Sequence, residues 1–130
     1  MTTLLLDTHA YVWAVTAPQL LSDRAAKAIA DTANTLLVSA ASAWEMAIKY
    51  RAGKWPEAEV LLEQHDNVLE RLGAHTQPIS AADAIRAGGL TWTHSDPFDR
   101  MLAAQALLHS ATLVTRDRAF ADINGVLLLW

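Results

Sequence analysis

The chain has no cysteine, which excludes a disulfide framework, a thiolate metal site and a cysteine nucleophile. It has only 5 glycines and 4 prolines, and neither gathers into a linker or a low-complexity stretch. No apolar run approaches the roughly 20 residues that span a bilayer. An excess of positive charge is missing too: ten Lys and Arg stand against 14 Asp and Glu, a formal charge of −4. That is not the balance of a protein that coats nucleic acid by bulk charge. It says little against a metal-dependent nuclease, because acids gathered around an ion are neutralised by it.

What is present is a core. The 130 residues are 52% hydrophobic and 18% charged, enough for one domain, residues 1–130, that buries roughly two-thirds of its unfolded surface. The Met-Thr-Thr start lacks the basic flank and apolar region of a signal peptide, so the expectation is a soluble, cytoplasmic protein with no membrane association.

Short apolar runs alternate with helical patterns. Leu4 to Leu6 reads as a buried strand, with a short helix from Thr8 to Val15 and a second capped by Ser22, with Ala25, Ala26, Ile29, Ala30 and Ala33 at helical spacing. Leu36 to Val38 is a second strand, followed by a helix from Ser39 to about Arg51. One helix is expected from Pro56 to Leu72, with Leu61, His65, Val68, Leu69 and Leu72 on one face. Gln77-Pro78-Ile79 is the candidate third strand, and Ser80 to Asp83 resembles a capping box. Asp96-Pro97 starts a helix whose inner face carries Phe98, Leu102, Gln105 and Leu108. Thr112 to Thr115 and Val126 to Leu129 complete five strands. Strands apolar on both faces, separated by helices, predict an α/β fold: a parallel sheet covered by helices on both sides.

Acids recur just after strands or early in the following helix. Asp7 follows the first strand, Glu45 lies in the helix after the second, Asp99 begins the helix leading into the fourth, and Asp117 follows the fourth. In an open parallel sheet these positions converge on one edge. Two carboxylates about 4 Å apart repel by roughly 1 kcal/mol in water and roughly 4 kcal/mol at an effective dielectric of 20, so such a cluster binds a cation or takes up protons. Oxygen ligands without cysteine suit Mg²⁺ or Mn²⁺. Each acid also has a structural role open to it. Asp7, Asp96 and Asp117 can cap helices, and Glu45 can close a capping box with Ser42 and pair with Lys49. Of the Asp96-Pro97-Phe98-Asp99 run, Asp96 suits the cap and Asp99 the site. His9 and His94 lie beside acids, yet no histidine pair has zinc spacing. Arg100, Arg116 and Arg118 stand near the acids, where they suit phosphate positioning. The five tryptophans are scattered and read as packing or partner surface, not as a single-strand platform.

Together these stretches resemble the PIN-domain ribonucleases, and more narrowly the VapC toxins of toxin–antitoxin pairs. The likeness runs through Leu-Leu-Leu-Asp7-Thr-His, Ser42-Ala-Trp-Glu45, Asp96-Pro-Phe-Asp99-Arg-Met-Leu-Ala-Ala-Gln105 and Leu-Val-Thr115-Arg-Asp117. The resemblance implies a three-layer α/β/α sandwich with a five-stranded parallel sheet. It implies an Mg²⁺- or Mn²⁺-dependent endoribonuclease with Asp7, Glu45, Asp99 and Asp117 as its acidic quartet and Asp96 as an additional ligand. Thr115, Arg100 and Arg116 are the candidate substrate contacts. A VapB-type antitoxin, an RNA substrate, a homodimer and a toxin–antitoxin hetero-oligomer are the implied partners and assemblies. Two other readings compete. A receiver-like regulatory domain would want a lysine after the last strand, and every lysine here lies at or before Lys54. A non-catalytic PIN-like RNA- or protein-binding module would have lost the quartet.

Overall fold

Leu4, Leu5 and Leu6 make up most of strand β1 (Thr3–Leu6), and all three are buried because β1 is the middle strand of the sheet. The computed structural model describes residues 1–130. The other strands are β2 (Thr35–Ser39), β3 (Ala74–Gln77), β4 (Thr112–Val114) and β5 (Leu127–Leu129), and the sheet runs β3-β2-β1-β4-β5 with every pair parallel. Side chains alternate across a strand. Leu4 and Leu6 therefore enter one core with Leu36, Val38 and Met46, while Leu5 enters a second with Leu102, Ala103, Leu113 and Phe120.

Seven helices cover the two faces: α1 (Thr8–Thr16), α2 (Asp23–Ala30), α3 (Ala40–Arg51), α4 (Glu59–Glu63), α5 (His65–Leu72), α6 (Ala81–Gly89) and α7 (Pro97–Leu108). The first core takes Tyr11 and Val12 from α1, Ala25 from α2, Met46 from α3, Leu61 from α4 and Val68 and Leu69 from α5. The second takes Leu102, Ala103 and Ala106 from α7, and α6 packs chiefly on α7. This is the expected α/β architecture with helices on both faces. Strand order reverses between β1 and β4, so a crevice opens beyond their carboxyl ends, where ligands of such sheets bind.

The third strand lies earlier than expected. Residues 74–77 pair with 36–39, directly after Gly73 reverses the chain at φ 75, and Pro78, which has no N–H for a ladder, falls just beyond. The helix expected from Pro56 to Leu72 is broken at Gln64 (φ −118, ψ 37) into a 3-10 turn at Pro56–Ala58, then α4, then α5. Ala33 falls beyond the end of α2, and Leu108 is exposed, whereas Gln105 is fully buried as expected. No helix is long and apolar enough to cross a membrane.

Candidate active site

Asp7 ends the central strand and begins α1, and it fills both of the roles open to it. Its Oδ1 accepts the Ala10 N–H at 2.7 Å, which makes it the N-cap of α1. Its carboxyl group is almost entirely withdrawn from water, and this burial raises its pKa above the usual carboxylate range. Hydrogen bonds from the Thr115 side chain and the Ala10 N–H, and the nearby His9, oppose the rise, whereas Glu45 adds to it. Thr115 is itself buried, and its hydroxyl oxygen accepts the Asp117 N–H at 3.0 Å. A single hydroxyl thus connects the two strand ends, β1 and β4, that flank the crevice.

Glu45 reaches the same place from α3. The cap of that helix is Ser39, which accepts the Ala41 N–H at 3.0 Å, so a Ser42–Glu45 capping box does not form. Ser42 is buried and accepts a hydrogen bond from the Thr8 hydroxyl at 2.9 Å, fixing α3 against α1 and Glu45 near Asp7. Lys49 Nζ donates to Glu45 Oε2 at 2.7 Å, with the carboxylate buried and the lysine partly exposed.

Asp96 caps α7, its Oδ1 accepting the N–H groups of Phe98 at 2.9 Å and Asp99 at 3.0 Å, with Pro97 at the first helical position. Asp99 is left free to turn inward, where its Oδ2 lies 2.7 Å from His94 Nε2. Burial raises the Asp99 pKa; the His94 hydrogen bond opposes this, while the negative charges of Asp96 and Glu45 push it further up. Glu45 therefore acts electrostatically on both Asp7 and Asp99. Asp117 is exposed and caps the 3-10 turn Arg118–Asp122 through the Ala119 N–H at 2.9 Å. It shares with Asp7, His9, Trp13 and Arg116 a cleft of about 340 Å³.

The donor chemistry fits a hard divalent cation, since every acid offers carboxylate oxygen and two are held with raised proton affinity that a cation would oppose. No three His, Asp or Glu side chains are yet gathered at ligating distance, because Glu45 turns to Lys49 and Asp99 to His94.

The sequence model of the PIN domain matches residues 4–126 of this chain. The chain belongs to the PIN-domain family. This PIN domain is 34% identical over 121 residues to Ribonuclease VapC22 of Mycobacterium tuberculosis, covering 91% of the chain and 89% of that relative. A shorter stretch of 59 residues is 42% identical to Ribonuclease VapC16 of the same organism, covering 45% of the chain and 40% of that relative. The fold matches the structure of VapBC2 from Rickettsia felis bound to a promoter DNA fragment, with a TM-score of 0.69 at 22% identity over 98% of this chain and 97% of that one. It matches DNA-bound VapBC from Salmonella typhimurium with a TM-score of 0.67 at 20% identity, over 98% and 97% of the two chains.

Two sequence expectations change on this PIN domain. Arg100 is not free to meet a phosphate, because all five of its N–H donors are engaged. Nε donates to Ala87 O (2.9 Å), Nη1 to Trp92 O (2.8 Å) and His94 O (3.0 Å), and Nη2 to Gly88 O (3.3 Å) and Leu90 O (2.7 Å). Arg116, by contrast, lines the cleft, its guanidinium 4.9 Å from the Trp13 ring centre. Three of the five tryptophans also come together, while Trp44 and Trp92 pack elsewhere, on Phe98 and Phe120. Trp55, His9, Trp13 and Trp130 form a chain of rings with centroid separations of 4.9, 5.5 and 6.0 Å. Sequence patterning shows only the His9–Trp13 pair, four residues apart on α1, because Trp55 and Trp130 come from two distant segments.

Proposed function

We propose that this PIN domain is a metal-dependent endoribonuclease, the VapC-type toxin of a toxin–antitoxin pair. One observation carries the reading: Asp7, Glu45 and Asp99 lie within electrostatic reach at the carboxyl edge of the central strand, and Asp117 shares the Asp7 cleft. The likeness to Ribonuclease VapC22 over nearly the whole chain supports the same reading. Asp7, Glu45, Asp99 and Asp117 would hold one or two Mg²⁺ or Mn²⁺ ions. When bound, such an ion lowers the pKa of a water and stabilises the charge on a phosphodiester under in-line attack.

The chain's own residues do the rest. Thr115 holds Asp7 and the Asp117 backbone in register across β1 and β4. Lys49 pairs with Glu45, and His94 hydrogen-bonds Asp99, in the positions a cation would take. Asp96 is assigned to the helix cap and not to the ligand set: its Oδ1 holds two backbone N–H groups, where the Oδ1 atoms of Asp7 and Asp117 each hold one. Arg116 stands where it can meet a phosphate across the cleft.

A VapB-type antitoxin is the expected partner, and a homodimer the expected state of the toxin. Trp44, Ile48 and Ile85, which are 59%, 46% and 77% exposed, give the chain apolar surface for such contacts. The decisive experiment incubates the purified chain with labelled RNA and Mn²⁺. Cleavage should stop with a chelator and in Asp7→Asn and Asp99→Asn, and undiminished cleavage by both variants would overturn the site assignment. In cells, expression should arrest growth, and co-expression of the partner antitoxin should relieve the arrest. Arrest that persists with the antitoxin present would sink the toxin–antitoxin reading.

A further inference from the structure

We propose that the ring chain Trp55–His9–Trp13 is a nucleobase-stacking subsite beside the acids, so that the cleft accepts an unpaired nucleotide. The proposal rests on the nuclease reading for its ligand class and deepens it. Asp7 and His9 are two residues apart at the start of α1, and Trp13 follows one turn later on the same helix face. The helix that presents the central acid therefore also presents two rings to the same cleft, which Arg116 closes. His9 is exposed, Trp13 is half-buried, and Trp55 is buried behind them, so the rings offer a firm surface with an open outer edge.

Trp55 and Trp13 each carry a cation, the one at Trp55 being the Lys49 paired with Glu45. Lys49 Nζ lies 5.3 Å from the Trp55 ring centre, and Arg116 covers Trp13. Phosphates flanking a stacked base need such cations, whereas the acids of the cleft repel phosphate unless a divalent ion intervenes. An exposed cation–π contact is weaker than the stacking of a base on an aromatic ring. A base can therefore take the Trp13 face and release the Arg116 guanidinium to a phosphate. Duplex RNA keeps its base faces covered, so the subsite selects single strands, loops and ends.

The test measures binding by fluorescence anisotropy, with Ca²⁺ replacing Mg²⁺ and three fluorescein-labelled RNA probes: a short single-stranded oligoadenosine, its duplex with oligouridine, and an abasic oligomer of the same backbone. The single strand should bind tightest. Trp13→Ala and His9→Ala should weaken it by roughly 5- to 150-fold, the range of one lost base stack. Trp13→Phe should retain most of the affinity, and thermal melting should certify each fold; His9, being exposed, can be truncated even if Trp13→Ala unfolds. Equal binding of base-bearing and abasic oligomers would overturn the subsite. So would a Trp13→Phe variant as weak as Trp13→Ala, or a cluster at which only a protein partner, and no RNA, competes. Cleavage assayed separately in Mn²⁺ distinguishes the two readings: base-dependent binding without cleavage removes the nuclease and keeps the subsite, and cleavage with base-independent binding does the reverse.

Discussion

At the scale of single residues, two buried aspartates obey opposite electrostatics. Asp7 carries a raised pKa because burial disfavours its charge. A group with a raised folded-state pKa contributes stability while protonated and loses it as pH rises above its unfolded-state range, so holding an ionisable carboxyl at this buried position works against the fold at neutral pH. Asp7→Asn keeps an oxygen for the Ala10 N–H while removing the charge, and should raise Tm by a few degrees in the absence of metal as it abolishes cleavage. A lower Tm at neutral pH would show that ionised Asp7 is a net structural asset. Asp83 is the reverse case. Burial alone would raise its pKa, but hydrogen bonds from Gln105 Nε2 at 3.1 Å, the Ser80 N–H at 3.1 Å and His109 at 3.0 Å outweigh that and hold it below the usual range. Its contribution is present above the unfolded-state value of about 3.9 and is lost as pH falls through the lower folded value. Asp83→Asn should cost roughly 1–3 kcal/mol at pH 7 and flatten the acid limb of a urea-denaturation series. An unchanged acid limb would remove Asp83 from the pH dependence of stability.

Between elements, the connection from α6 to α7 is organised by Arg100. Its fork gathers five carbonyls, from Ala87 at the end of α6 to His94 beside Asp99, so one side chain sets the path that brings His94 to the site. Arg100→Ala strands those carbonyls and should destabilise the domain by about 2–4 kcal/mol in chemical denaturation, and Arg100→Lys should recover little, because an ammonium cannot reproduce the planar fork. Full recovery by lysine would reduce the interaction to charge alone. This residue also marks where reading the sequence stopped. Beside Asp99, Arg100 looked like a phosphate ligand, since a linear pattern carries no record of which distant carbonyls a side chain meets. The strands Leu4–Leu6 and Leu36–Val38 and the Asp96 cap were legible because composition and near-neighbour chemistry determine them. β3 was misplaced by a few residues, because Ala74-His75-Thr76-Gln77 has little strand character of its own and is ordered by pairing with β2. The break at Gln64 was equally hidden, with apolar spacing continuing across it.

Across the whole molecule, two cores clamp a central strand whose carboxyl end gathers acids in a chain of net charge −4. The sheet brings Asp7 and Asp117 to one crevice, while Glu45 and Asp99 approach it on α3 and α7. The set is not preassembled for a cation: Lys49 and His94 occupy Glu45 and Asp99 at 2.7 Å each. On the metal-dependent reading, a bound cation would displace those contacts, and its binding free energy would appear as stability of the folded chain. Melting experiments across an Mn²⁺ series should show Tm rising with concentration, equivalent to about 2.7 kcal/mol when the ion is 100-fold above its Kd. Asp99→Asn should blunt the response, because it removes a ligand, while Lys49→Ala should shift it to lower Mn²⁺ by freeing Glu45. A wild-type Tm indifferent to Mn²⁺, or an equal rise in Asp99→Asn, would mean that the acids at this edge do not act together on a metal ion.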